Sequence, residues 1–263
     1  MNRVALVTGG GRGIGREIAL GLGRDGCAVA VAARSLGDLQ RTAAELTGLG
    51  TRALAVELDV GDAEAVARAI ADVEAGLGPV DVLVNNAGIA ESAPLARTDP
   101  GLWDRHLRVN ATGPYLLARA VLPGMLERRW GRIINIASIA GLHGAAYVTA
   151  YVASKHALVG FTRALALEVA GRGVTVNAIC PGFVATDLTW RSAHTIAERT
   201  GRSYDEAVAA LARMNPGGRL VDPVEVALAV CRLVAHDATN GHTIVIDGAG
   251  PIPEPVSSEE VRG

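Results

Sequence analysis

Short runs of aliphatic and β-branched residues recur along the chain at Val4–Val7, Ala28–Ala33, Arg52–Leu58, Val82–Asn85, Arg132–Ala137, Val174–Ile179 and Thr243–Ile246. Each is too short for a helix and reads as a strand. Between them, apolar positions return at three- and four-residue spacing, which predicts amphipathic helices near 14–24, 37–48, 62–76, 102–128, 151–171 and 222–235. Strands that are apolar on both faces and alternate with helices predict a parallel sheet covered on both sides. The fold expected is therefore α/β, a Rossmann-type doubly wound parallel sheet in a single domain. Ligands of such sheets sit beyond the carboxyl ends of the strands, near the point where strand order reverses.

Two stretches depart from this alternation. Residues 186–219 are about one helix pair too long for a simple crossover, which suggests a substrate lid. Residues 251–263 (PIPEPVSSEEVRG) are proline-rich and polar, the composition of a poorly packed tail. The expected organisation is one dinucleotide-binding and catalytic domain over residues 1–250, followed by that tail.

Composition narrows the function classes. The chain has 263 residues, 49% of them hydrophobic and 20% charged, which suits a folded domain with a substantial core. A net charge of −2 supplies no attraction to nucleic acid or to an anionic membrane, and 3% aromatics leave little for base stacking. Cys27, Cys180 and Cys231 are odd in number and widely spaced, as expected of buried thiols in a reducing compartment. No apolar run approaches a membrane span, and the N-terminus lacks a signal-type apolar region, so a cytoplasmic protein is expected.

The first strand runs into Thr8-Gly9-Gly10-Gly11-Arg12-Gly13-Ile14-Gly15 and then directly into a helix. Glycines permit a tight turn and close backbone approach, and a helix N-terminus offers free N–H groups to a pyrophosphate. NAD-binding units carry an acid about 20 residues on, for the adenosine ribose. Here the second strand ends Ala33-Arg34-Ser35 instead. Arg34, with Arg12 in the turn, could clamp a 2′-phosphate through charge-assisted forks, which favours NADP(H) over NAD(H). The third strand ends at Asp59-Val60 and the fourth at Asn85-Asn86-Ala87-Gly88, on the same carboxyl edge.

Of the 25 basic residues, 24 are arginine and one is Lys155, four residues after Tyr151. Helical spacing puts both on one face. A phenol with a pKa near ~10 is a poor acid or base at neutral pH until a neighbouring cation stabilises its phenolate. Tyr147 also precedes Tyr151 by four residues, but has no lysine four residues beyond it.

With these pieces in order, the chain resembles the short-chain dehydrogenase/reductase family over roughly residues 3–248. Within it, the chain looks like the branch that includes 3-oxoacyl-carrier-protein reductases and aromatic polyketide ketoreductases. The resemblance rests on Thr8-Gly9 through Gly15, Asp59, Asn85–Gly88, Asn110, Ser138, Tyr151 with Lys155, Asn177, Pro181-Gly182 and Thr186.

It implies a role for each matching position. Ser138 would polarise a substrate carbonyl, and Tyr151 would pass it a proton as hydride arrives. Lys155 would bind the nicotinamide ribose and depress the Tyr151 pKa, while Asn110 would anchor a water relaying protons from Lys155. Gly9, Gly11, Arg12, Gly13, Ile14 and Gly15 would cradle the cofactor, with Asp59 and Val60 at its adenine and Asn86, Ala87 and Gly88 beside its ribose. Pro181, Gly182, Val184 and Thr186 would face the nicotinamide. His143, between Ser138 and Tyr151, would lie near substrate, whereas His156 reads as structural. Neither has partners at metal-ligand spacing, and no metal is expected.

The substrate implied is a ketone, most naturally a 3-oxoacyl thioester on a carrier protein or CoA, or a related polyketide. Ile89-Ala90-Glu91-Ser92 stands where polyketide enzymes often carry Pro-Gly-Gly, which weakens that narrower assignment. An NAD(P)-dependent dehydrogenase of a small or cyclic secondary alcohol and a non-catalytic dinucleotide sensor stay open. Arg191, Arg199, Arg202, Arg213 and Arg219 in the lid would suit a phosphopantetheine phosphate, or reflect only an arginine-rich chain. The resemblance also implies a homotetramer built through the long helices and the C-terminal strand.

Overall fold

The computed structural model describes residues 3–252 and 254. Most of the polar tail therefore lies outside the described residues. Seven parallel strands form one sheet: β1 (Val4–Thr8), β2 (Ala28–Ala33), β3 (Ala53–Glu57), β4 (Val82–Asn85), β5 (Gly131–Ile136), β6 (Val174–Pro181) and β7 (Thr243–Ile246). Their spatial order is β3-β2-β1-β4-β5-β6-β7, so the order reverses between β1 and β4.

Alternate residues of each strand enter two separate cores. On one face Ala5, Val7, Val29 and Val31 pack with Ile18 and Leu22 of α1 (Gly13–Arg24), Leu39 and Leu46 of α2 (Leu36–Gly48), and Val226 and Val230 of α9 (Pro223–Ala235). On the other, Leu6, Ala30 and Leu83 meet Val66 and Val73 of α3 (Ala63–Gly76), Leu117 and Val121 of α5 (Gly113–Glu127), and Leu165 and Val169 of α6 (Thr149–Val169). Each fully buried aliphatic side chain contributes about 2 kcal/mol, so this two-sided burial is what selects strand over helix for these runs.

The helix expected over 102–128 is divided. It comprises α4 (Pro100–Leu107), a π turn over Arg108–Thr112, and α5. Pro114 has no N–H to give the Asn110 carbonyl four residues back, so the ladder widens there. Residues 186–219 supply a helix pair, α7 (Asp187–Thr200) and α8 (Tyr204–Met214), with its own apolar contact through Ala193, Ala207 and Leu211. Among the described residues, no helix is long and apolar enough to cross a membrane.

Candidate active site

Two clefts open at the carboxyl ends of the strands, at the point of order reversal. The first measures ≈ 320 Å³ and is lined by Gly9, Gly11, Arg12, Gly13, Ile14, Gly15, Arg34, Asp59, Val60, Asn86, Ala87, Gly88 and Thr186. Gly9 and Gly13 adopt φ of 65° and 52°, conformations that favour glycine. A Cβ on Gly15 would lie 2.3 Å from the Gly9 carbonyl oxygen and 2.5 Å from Asn86 Nδ2, so only glycine lets the helix start this close to the turn.

Arg12, the N-cap of α1, makes no side-chain cap bond, and the helix N-terminus faces the cleft with its backbone donors and positive dipole end. The turn after β4 is fixed by Thr8, whose hydroxyl accepts from the backbone N–H of Asn86 and of Ala87, each at 3.0 Å. The Asn86 side chain donates back to the Thr8 carbonyl at 2.9 Å.

A glycine-lined cradle on a helix N-terminus, walled by Leu58 and Val60, fits a dinucleotide. Arg34 is exposed at its rim and has no ion pair among the described residues. Arg12 lies 3.5 Å from Asp187 with both side chains solvated, a pairing of little strength. Ser35 and Asp38 also line this cleft, unmarked by the sequence reading, and Asp38 is hydrogen bonded to Arg41.

The second cleft, ≈ 370 Å³, is continuous with the first through Ile14, Asn86, Gly88, Ile89, Thr186 and Leu188. Ser138, His143, Tyr151, Lys155, Pro181, Gly182 and Val184 line it. Ser138 follows β5, and its hydroxyl accepts from the Ala140 N–H at 3.1 Å, capping the 3-10 turn Ile139–Gly141. The same side chain hydrogen bonds to the Tyr151 phenol.

Lys155 is buried one turn along α6, donates to the Ile136 carbonyl at 2.8 Å, and lies 5.9 Å from the centre of the Tyr151 ring. Burial pushes the ammonium pKa down to about 8. It also pushes the Tyr151 phenol up, opposed by the Ser138 hydrogen bond. The Lys155 ammonium has no part in that direction, being turned onto the Ile136 carbonyl. Beneath them Cys180 is raised by burial, against the Ser138 backbone N–H and Lys155.

Asn110 lines neither cleft. Its amide donates to the Ile89 carbonyl and to Ser154 Oγ, both at 2.9 Å, while its Oδ1 accepts from the Ile89 N–H at 2.9 Å. The side chain thereby ties the loop after β4 to Ser154 of α6. Asn177 clamps the turn before β7 by donating to Thr239 and accepting from His242. His156 is exposed and bonds locally to Val152.

Of the lid arginines, Arg191 reaches the first cleft, while Arg219 is held by Glu225 at 2.6 and 2.7 Å. Phe183, Leu188 and Met214 form the apolar side of the second cleft, and the sequence reading named none of them. Fully buried His106 was also passed over, although it lies four residues before Asn110. No group of three or more His, Cys, Asp or Glu that could hold a metal occurs among the described residues.

Comparison with known proteins follows the same lines. Residues 3–197 match the family described as short chain dehydrogenase. A putative ketoacyl reductase of Streptomyces coelicolor is 42% identical over 239 residues, covering 90% of this chain and 92% of that protein. A 3-oxoacyl-acyl-carrier-protein reductase of Pseudomonas aeruginosa is 41% identical over 249 residues, covering 94% and 96%. A crystal structure of a variant actinorhodin polyketide ketoreductase with NADPH superposes with a TM-score of 0.91 at 40% identity, covering 95% and 97%.

Proposed function

Because the chain belongs to the short chain dehydrogenase family, we propose that it is an NADPH-dependent reductase of a 3-oxoacyl thioester or a related polyketide ketone. The observation that carries this reading is the Ser138, Tyr151 and Lys155 cluster, set in an apolar cavity continuous with the glycine cradle. A nicotinamide cofactor held by that cradle supplies the hydride. Ser138 donates to the carbonyl oxygen and fixes its place beside the Tyr151 phenol. Tyr151 then gives its Oη proton to the oxygen as negative charge develops there. Lys155 supports the phenol electrostatically and would bind the ribose hydroxyls of the cofactor. Asn110 holds the wall at Ile89 and, through its backbone, the water that resupplies the proton.

The cofactor preference follows from charge. Arg34 is a guanidinium at the rim with no ion pair among the described residues, the group suited to a 2′-phosphate, and no acid ends β2. Ile89, Ala90, Leu188 and Met214 supply an apolar wall for an acyl chain, with the carrier portion left toward the lid arginines. Exposed Tyr115 on α5 and Leu167 on α6 support a homotetramer assembled through those helices, and the unpaired thiols suit the cytoplasm.

The test is a panel of acetoacetyl-CoA, a trans-decalone and simple ketones, each with NADPH and NADH. The expected outcome is fastest turnover of acetoacetyl-CoA with NADPH. Preference for small cyclic ketones would favour the secondary-alcohol dehydrogenase, and tight cofactor binding without any turnover would favour a dinucleotide sensor.

A further inference from the structure

The loop after β4 forms one wall of the substrate cavity through Gly88, Ile89 and Ala90. It is gripped at alternate residues. Ile89 N–H donates to Asn110 Oδ1 at 2.9 Å, Glu91 N–H to His106 Nε2 at 3.1 Å, and Ala93 N–H to the Tyr147 carbonyl at 2.8 Å. Tyr147 holds its carbonyl there from a φ of 66°, a conformation costly for a bulky residue. The first grip comes from the π turn, the second from α4 and the third from the turn leading into α6. The loop is therefore suspended between the elements that carry Asn110 and Tyr151.

His106 is the central grip. It is fully buried. Its Nδ1 lies 2.8 Å from the Leu102 carbonyl, which can only accept, and its Nε2 faces the Glu91 N–H, which can only donate. The imidazole is consequently the neutral Nδ1–H tautomer, with both nitrogens used. Its ring meets the Tyr151 ring edge-on, with centroids 6.5 Å apart at 77°. One side chain thus touches both the loop that walls the cavity and the phenol beside it. A surface pair between Arg105 and Glu91 at 3.7 Å is too solvated to replace it.

We infer that His106 is a positioning residue, which sets the Gly88–Ala93 wall against Tyr151 and so determines how tightly the ketone is held. The inference rests on the reductase reading only for its kinetic arm. His106→Leu keeps the helix and an apolar contact to Tyr151 but leaves the Glu91 N–H without its acceptor, and His106→Gln can return an acceptor oxygen to that place.

The experiment measures amide exchange of the 88–93 segment by mass spectrometry, KM and kcat for the best ketone of the panel, and the NADPH Kd by fluorescence. In His106→Leu, exchange of that segment and the ketone KM should each rise on the order of tenfold. The NADPH Kd should stay within about twofold, and His106→Gln should restore both readouts. Wild-type exchange in His106→Leu, or failure of His106→Gln to restore protection, would overturn the inference. If His106→Leu does not fold, His106→Gln alone decides it, since wild-type exchange and KM are then required. If no ketone is turned over, the reductase reading falls, while exchange still decides the role of His106.

Discussion

Replacing Lys155 by methionine should make the protein more stable and inactive. The ammonium is buried, and its pKa falls from 10.5 to about 8. At pH 7 the folded chain therefore carries a charge that its surroundings disfavour by about 3 kcal/mol, at ~1.4 kcal/mol per pKa unit. Methionine matches the four-atom stem of the side chain and removes that cost, but it leaves the Ile136 carbonyl without the Nζ donor, a loss of about 1 kcal/mol. The net gain of about 2 kcal/mol corresponds to a Tm increase of about 4–8 °C for a domain of this size.

The sign fixes the pH dependence. A depressed folded pKa means that the unfolded chain binds the extra proton between pH 8 and 10.5, so wild-type stability rises with pH across that window. By pH 9.5 the burden on Lys155 has dropped to roughly 1 kcal/mol, and the advantage of the variant should vanish. Calorimetry of both proteins at pH 7 and 9.5, with NADPH-dependent turnover measured alongside, checks this. An unchanged or lower Tm at pH 7, or a gain of equal size at both pH values, would refute the assigned burial of the charge.

Three further outcomes are expected. Tyr151→Phe should lower kcat by roughly 10²–10⁴ while NADPH fluorescence titration stays unchanged, because only the proton donor is lost; a loss below tenfold would place the donor elsewhere. The rate of ketone reduction should be flat below about pH 8 and fall above it, as Lys155 loses its proton while the raised Tyr151 phenol stays protonated; a pH-rate profile that climbs through pH 8 would contradict this. Arg34→Glu should invert the NADPH/NADH preference by tenfold or more in kcat/KM, at ~1.5–3 kcal/mol for a charge-assisted contact, and an unchanged ratio would remove Arg34 from the 2′-phosphate site.

What the sequence disclosed follows a physical division. Strands such as Val4–Thr8 were legible because both faces are apolar, and the cradle because its glycines stand at fixed offsets between a strand and a helix. The approach of Tyr151 and Lys155 on one face of α6 was legible through their four-residue spacing. The division of the helix at 108–112 was available in Pro114 and was overlooked, since the apolar period continues across it. The direction of the Tyr151 shift was not available, because it depends on how much water the folded pocket excludes. His106 was hidden for a related reason. Its value lies in a backbone N–H of a loop fifteen residues earlier, which no spacing rule on α4 reports.

Burial of Tyr151 and Lys155 also bears on the direction of the proposed reaction. Burial moves phenol and ammonium alike toward their uncharged forms, Tyr151 upward and Lys155 downward. A neutral phenol is a proton donor, the form that carbonyl reduction consumes, whereas alcohol oxidation begins from a phenolate that the same walls destabilise. With its pKa at about 8, Lys155 still holds its proton in most molecules at pH 7. The positive charge is then present beside Tyr151 when the phenol gives up its proton, and it stabilises the phenolate that remains. Ser138 opposes the upward shift by hydrogen bonding to the phenol, which moves its pKa back toward the range useful for proton transfer. At neutral pH the resting ionisation of the proposed site suits the proton donation that reduction needs, and oxidation is expected to gain as the medium becomes alkaline enough to draw the proton from Tyr151.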